Sequence, residues 1–172
     1  MKNNDTNLAV SQKRFWISTI LAWILFVGID FLFHASILSP LWREDIVAFK
    51  PLSNLFLLIP AGYLSFFLLT LLLGYIFCKI YPQKPSRTEV AQFSIIFSIL
   101  FSLSNFFGLF SYVAIPVKQL LLFNLVYFVE IFTIIFFFYK AMFAQKYTRV
   151  ILYSITYFIA LVFIGIVIQN LI

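Results

Sequence analysis

Five apolar segments, each long enough to cross a lipid bilayer, dominate this sequence of 172 residues. A membrane-spanning α-helix needs about 20 predominantly apolar residues, and each segment reaches that length before a short charged stretch ends it. The segments run approximately from Phe15 to Leu38, Asn54 to Ile80, Val90 to Ile115, Leu120 to Phe143 and Val150 to Ile172. The sequence therefore predicts an all-α fold, a polytopic membrane bundle of five transmembrane helices.

The composition argues against the other classes of fold. Hydrophobic residues make up 63% of the chain and charged residues only 10%, whereas a soluble domain is about half apolar and about a quarter charged. The strands of a membrane barrel would be about ten residues long with alternating polarity, whereas the run 131–139 is apolar on every side. Because little chain remains outside the segments, we expect one integral membrane domain over residues 1–172 and no soluble catalytic domain.

The net charge of +6 reflects basic residues at helix ends, not a nucleic-acid-binding surface. If the N-terminus is cytoplasmic, Arg43, Lys50 and Lys118 face outward and the other nine basic residues face inward. Those nine are Lys2, Lys13, Arg14, Lys79, Lys84, Arg87, Lys140, Lys146 and Arg149. The positive-inside rule then predicts a cytoplasmic N-terminus and an external C-terminus. We expect a protein of the bacterial cytoplasmic membrane, with the lipid bilayer as its partner and no nucleic-acid partner.

The first outer connection contains a signal for a short helix. Ser39 can cap a helix and Pro40 is tolerated in its first turn. Trp42, Ile46 and Phe49 would share one face of that helix, which favours a helix lying on the membrane surface. An irregular loop is the alternative.

The third apolar segment carries the clearest helical face in the sequence. Ser86 and Glu89, just before it, have the spacing of a capping box. Within about 120° of arc on the helix lie Ser94, Ser98, Ser102, Asn105, Gly108 and Tyr112. Small and hydroxylated residues let membrane helices approach closely, so we expect this helix to be central in the bundle, with Ile96 and Leu100 facing lipid. The same face could instead line a pathway.

Four polar residues lie deep inside the apolar segments, namely Asp30, His34, Asn105 and Glu130. At about 1.5 Å rise per residue, Asp30, Asn105 and Glu130 fall in one layer near the middle of the bilayer, and His34 lies one turn above Asp30. Ionisable groups at this depth are costly and commonly functional. Burial favours the neutral form of both acids unless a partner stabilises the charge.

Three interpretations of this layer remain open. In the first, the layer is a set of interhelical hydrogen bonds, with Asp30 paired to His34 and Asn105 to Glu130. In the second, it is an outward-facing pocket for a substrate, proton or ion. In the third, Asp30, His34 and Glu130 form a catalytic or metal site. The sequence has no metal-binding signature such as H-E-x-x-H, so we expect no metal and no cofactor. We favour a non-enzymatic transport or permeation protein, or a subunit of a membrane assembly with a protein partner or a small ligand. An intramembrane enzyme is the alternative.

A resemblance to other proteins rests on the stretch Gly28-Ile29-Asp30-Phe31-Leu32-Phe33-His34 of the first segment and on Gly108, Pro116 and Glu130. In these residues the chain resembles a loosely defined group of small bacterial inner-membrane proteins of unknown function. The resemblance covers at most the first four helices. It implies a four-helix core to which the fifth helix is an addition, and it implies no activity or ligand.

Overall fold

Every element in the described part of the chain, residues 11–42 and 52–171 of a computed structural model, is helical. The first helix, α1 (Gln12–Asp30), continues without interruption into a π-helical segment, Phe31–Ile37. The α-helices are α1 (Gln12–Asp30), α2 (Ser39–Trp42), α3 (Leu52–Ile80), α4 (Arg87–Tyr112), α5 (Val117–Met142) and α6 (Tyr147–Gln169).

Five of these helices have the length and apolarity needed to cross a membrane. Their spans are Gln12–Ile37, Leu57–Ile80, Arg87–Tyr112, Val117–Met142 and Tyr147–Gln169. Each boundary lies within three residues of the one predicted from hydropathy. The predicted fold class is confirmed, and the chain is an integral membrane protein.

The capping box predicted at the start of α4 is confirmed as well. The Ser86 hydroxyl accepts a hydrogen bond from the Glu89 backbone at 3.3 Å, and the Glu89 carboxylate accepts one from the Ser86 backbone at 2.7 Å. This reciprocal pair fixes the start of α4. Helix α2 begins at Ser39, as predicted, but within the described part of the chain the buried Ser39 hydroxyl has no hydrogen-bond partner, so the predicted side-chain cap was wrong. Ile46 and Phe49 lie outside the described residues, so the helix on the membrane surface stays a prediction.

The centre of the bundle is formed by the first and fourth spans. Within an 18-residue apolar stretch of each of these two spans, 44% of the residues are buried, against 22% for the corresponding stretch of α4. Helix α5 packs on α1 and α4, while α1 also contacts α3 and α6. The expectation that α4 is central was wrong, because α4 packs mainly on α5 and leaves its opposite face to the lipid.

Two apolar clusters make up the core and border the region of the polar residues. The larger cluster joins α1, α3, α4 and α5 and includes the fully buried Phe26, Phe77 and Ile135. The smaller cluster contains Leu38, Phe123 and Val126. Between Ile29 and Leu38, and along α5 between Val126 and Ile131, the chain passes from one cluster to the other, and the ionisable residues lie at that transition.

Candidate functional site

The π-helical segment begins directly after Asp30, the last residue of α1, and contains His34. Its wider turn is visible where the Leu38 backbone N–H donates to the Phe33 carbonyl, five residues earlier, at 2.7 Å. Short π-helical insertions are rare and are frequently found at functional sites. Sequence reasoning missed this segment, because no local residue pattern distinguishes it from a continuing α-helix.

Helix α6 holds the π-helical segment in place through close packing and one hydrogen bond. A Cβ atom added at Gly165 would lie 2.7 Å from the Ser36 hydroxyl and 2.9 Å from the Phe31 ring. Glycine at position 165 permits this close approach of its backbone to the two side chains. The Gln169 amide also donates a hydrogen bond to the Ala35 carbonyl. The last turns of the first span are therefore set by α6.

Three ionisable side chains from two distant parts of the sequence meet inside the bundle. One donor atom from each of Asp30, His34 and Glu130 lies within 4.8 Å of the other two. Asp30 and His34 come from the first span, and Glu130 comes from the middle of α5. We call these three residues the acid–histidine cluster.

The polar side-chain atoms of Glu130 and His34 lack protein partners among residues 11–42 and 52–171. Glu130 is 0% exposed, and neither of its carboxylate oxygens has a hydrogen-bond partner. Both ring nitrogens of His34 are likewise buried and without a partner. Asp30 is partly exposed and forms the accessible edge of the cluster. Because buried polar groups are nearly always hydrogen-bonded, the cluster has an unused capacity to bind a ligand.

Aromatic rings enclose the imidazole on several sides. The centroid of the His34 ring lies 5.8 Å from that of Trp42 and 5.7 Å from those of Phe123 and Tyr127. Trp42 and Phe123 stack on each other at 4.6 Å. An apolar shell of this kind limits access of water and strengthens the electrostatic interactions inside it. Negative aromatic faces also favour a positive charge nearby.

Asn105, the fourth predicted site residue, belongs to a separate hydrogen-bonded pair. Its amide nitrogen donates to the side-chain oxygen of Asn124 at 2.9 Å, and the amide nitrogen of Asn124 donates to the Leu120 carbonyl at 2.7 Å. The alternative that paired Asn105 with Glu130 and Asp30 with His34 is therefore wrong for both pairs. Rotation about the helix axis, which hydropathy does not reveal, decides these partners.

The serines of the predicted packing face are buried; two of them bond within their own helix, and the Ser102 hydroxyl has no partner among the described residues. Ser94, Ser98 and Ser102 are all buried against neighbouring helices. The Ser94 hydroxyl donates to the Val90 carbonyl and the Ser98 hydroxyl to the Ser94 carbonyl. The contribution of these serines to helix packing is their small size, not hydrogen bonds between helices. At Gly108 an added Cβ would meet no atom within 4 Å, so this glycine makes no close approach inside the monomer.

A cavity of about 490 Å³ lies elsewhere, between α4, α5 and α6. Its lining includes Lys84, Arg87, Lys140, Tyr153 and Tyr157 and none of the three cluster residues. Ligand pockets of drug-sized molecules are about 300 to 1,000 Å³ in volume. This cavity of substrate size is thus separate from the ionisable groups.

The acid–histidine cluster offers oxygen and nitrogen donors to a positively charged ligand. Two carboxylates accept hydrogen bonds or coordinate cations, and a neutral imidazole provides one lone pair. The chain matches no protein-family model, no curated protein and no solved structure at a significant level.

Proposed function

We propose that this integral membrane protein is a small transport or permeation protein in which the acid–histidine cluster binds a cation within the membrane. The observation that carries the proposal is Glu130, which is 0% exposed and has no partner for either carboxylate oxygen. A buried ionised carboxylate without a counter-charge costs several kcal/mol. A cation between Glu130, Asp30 and His34 removes that cost.

The contrast with the asparagine pair supports a binding role over a purely structural one. Asn105 and Asn124 satisfy each other at 2.9 Å, as expected for polar residues that only hold helices together. Glu130 and His34 do not satisfy each other. In a subunit that only binds other membrane proteins, leaving these buried groups unpaired would lower stability without serving a function.

An intramembrane enzyme built on the same three residues has less support. Catalysis requires space for a substrate beside the reacting groups. The cavity of about 490 Å³ is lined by other residues. The cluster itself lies among closely packed rings such as Tyr127 and Phe123, each with its ring centroid 5.7 Å from that of His34. A cation fits such a place better than an organic substrate.

Flux measurements in liposomes test the proposed function. Purified protein is reconstituted with an entrapped fluorescent indicator, and the uptake of K⁺, Mg²⁺, Mn²⁺ and Zn²⁺ is compared with that of protein-free liposomes. We expect flux of at least one of these cations, and we expect Glu130→Gln to lower it tenfold or more (about 1.4 kcal/mol), because an amide carries no charge.

Glu89→Gln is the matched control for that experiment. Glu89 is an exposed acid in the first turn of α4, and glutamine also fits the third helical position of a capping box. This variant should keep the wild-type flux. Equal flux for Glu130→Gln and the wild type, or no flux of any of the four cations, would overturn the proposed function.

A further inference from the structure

We infer that the acid–histidine cluster is a site for a divalent first-row transition metal ion such as Mn²⁺, Fe²⁺ or Zn²⁺. The inference rests on the proposed function, because it names the class of cation that the same cluster binds. It departs from the expectation of no metal, which relied on the lack of a sequence signature. The donors come from the first span and from α5, so no local motif could reveal them.

The donor set selects this class of ion. Carboxylates suit Mg²⁺, Ca²⁺ and Mn²⁺, whereas imidazole suits zinc, iron, copper and nickel. Mg²⁺ and Ca²⁺ are bound by oxygen ligands alone, so His34 would contribute nothing to such a site. One imidazole beside the carboxylates of Asp30 and Glu130 therefore favours a transition metal of intermediate softness.

The distances are close to those of a coordination shell. Bonds of about 2.0 to 2.2 Å keep two ligand atoms of one ion within about 4.4 Å of each other. The three donor atoms lie within 4.8 Å of one another, so side-chain shifts of less than about 1 Å would close the cluster around an ion. Glu130 and His34 give up no hydrogen bond in this movement, since their polar side-chain atoms have no partner.

The surroundings also fit an ion that binds and leaves. Three protein ligands leave at least one position for water, as in open metal sites. The rings of Trp42, Phe123 and Tyr127 around His34 restrict its orientation, and an apolar shell of this kind controls solvent access. Asp30, which is partly exposed, marks the side by which an ion enters.

Direct metal binding tests the inference. Full-length protein without a histidine tag is purified in detergent, stripped with a chelator and dialysed against Zn²⁺, Mn²⁺ or Mg²⁺, with bound metal counted by mass spectrometry. We expect one Zn²⁺ or Mn²⁺ ion per chain and at least tenfold weaker binding of Mg²⁺. His34→Gln and Glu130→Gln should each lower the affinity for Zn²⁺ on the order of 100-fold. Glu89→Gln should leave it unchanged.

Every outcome of the binding experiment either supports or overturns the metal site. Helical circular dichroism and gel filtration check the fold of every variant, and if a variant does not fold, wild-type binding of the three metals alone decides. No binding of Zn²⁺ or Mn²⁺, equal binding of Mg²⁺, or unchanged affinity in a folded His34→Gln protein would overturn the metal site. If the metal site fails in this way while Glu130→Gln still lowers cation flux, the proposed function stands. If neither binding nor flux depends on Glu130, both fail.

Discussion

Glu130 and Asn124 show how two polar residues of one helix serve different purposes. Both lie on α5 and both are buried. Asn124 accepts from Asn105 and donates to its own helix, so its burial cost is offset by hydrogen bonds. Glu130 has no such compensation. A charged residue at the centre of a spanning helix costs about 2.5 to 3.5 kcal/mol on insertion scales, which makes an unpaired one difficult to explain by packing alone.

Asp30→Asn separates a binding role from a structural one at the accessible edge of the cluster. We expect the variant to unfold at nearly the wild-type temperature, because the amide keeps the size of the side chain and most of its hydrogen-bonding capacity. Cation flux in liposomes should nevertheless fall, since the negative charge is lost. Thermal unfolding in detergent and flux are measured on the same preparation. Wild-type stability together with wild-type flux would remove Asp30 from the site.

Gly165 is the residue whose size most directly limits the packing of α6 on the π-helical segment. Gly165→Ala should destabilise the protein by about 1 to 3 kcal/mol, because the new Cβ would lie 2.7 Å from the Ser36 hydroxyl and 2.9 Å from the Phe31 ring. Gly108→Ala is the control, and it should be neutral or stabilising by up to about 1 kcal/mol, since its Cβ meets no atom within 4 Å. Equal stability of the two variants in thermal unfolding would contradict this account.

At the scale of the element, the first span differs most from what its sequence suggests. Hydropathy predicts one continuous helix, and the spacing of Asp30 and His34 predicts that they share a face. The π-helical turn, by contrast, depends on contacts with Gly165 and Gln169 of α6. A local signal exists for helix starts such as Ser86 but not for this insertion, because distant residues stabilise it.

Helix α4 provides a prediction about its two opposite faces. Ser98→Leu should destabilise the protein by about 1 to 3 kcal/mol, because Ser98 is 0% exposed and a larger side chain would force the neighbouring helices apart. Leu100→Phe should be tolerated, since Leu100 is 61% exposed and faces lipid. Thermal unfolding in detergent compares the two. Similar losses for both variants would mean that the serine face is not closely packed.

For the whole molecule, the sequence was sufficient to predict the number and limits of the spans, because each depends only on the length of an apolar run. It was not sufficient to predict which helix is central. The serine pattern of α4 indicates a face that packs closely, but α1 and α5 are the more buried helices since each contacts several neighbours. The depth of each residue in the bilayer was enough to predict that Asp30 and Glu130 lie in one layer. The partner of Asn105 could not be predicted, because it depends on the rotation of each helix about its axis.

The orientation of the bundle in the membrane is a prediction that concerns the whole chain. The Arg14 guanidinium donates to the Ala144 carbonyl at 3.2 Å, so the start of α1 and the end of α5 lie at the same end of the bundle. That end carries most of the basic residues at or near the ends of the spans, among them Lys13, Lys140 and Lys146. By the positive-inside rule it should face the cytoplasm.

Fusions to a reporter that is active only outside the cytoplasm test this orientation. We expect activity for fusions after Pro116 and after Ile172, and no activity for a fusion after Lys84, because α3 and α4 connect at the basic end of the bundle. Pro116 and Lys84 serve as controls for each other, since they flank the same helix. A reporter after Ile172 that is active only in the cytoplasm, with the pattern at the two controls reversed as well, would invert the orientation.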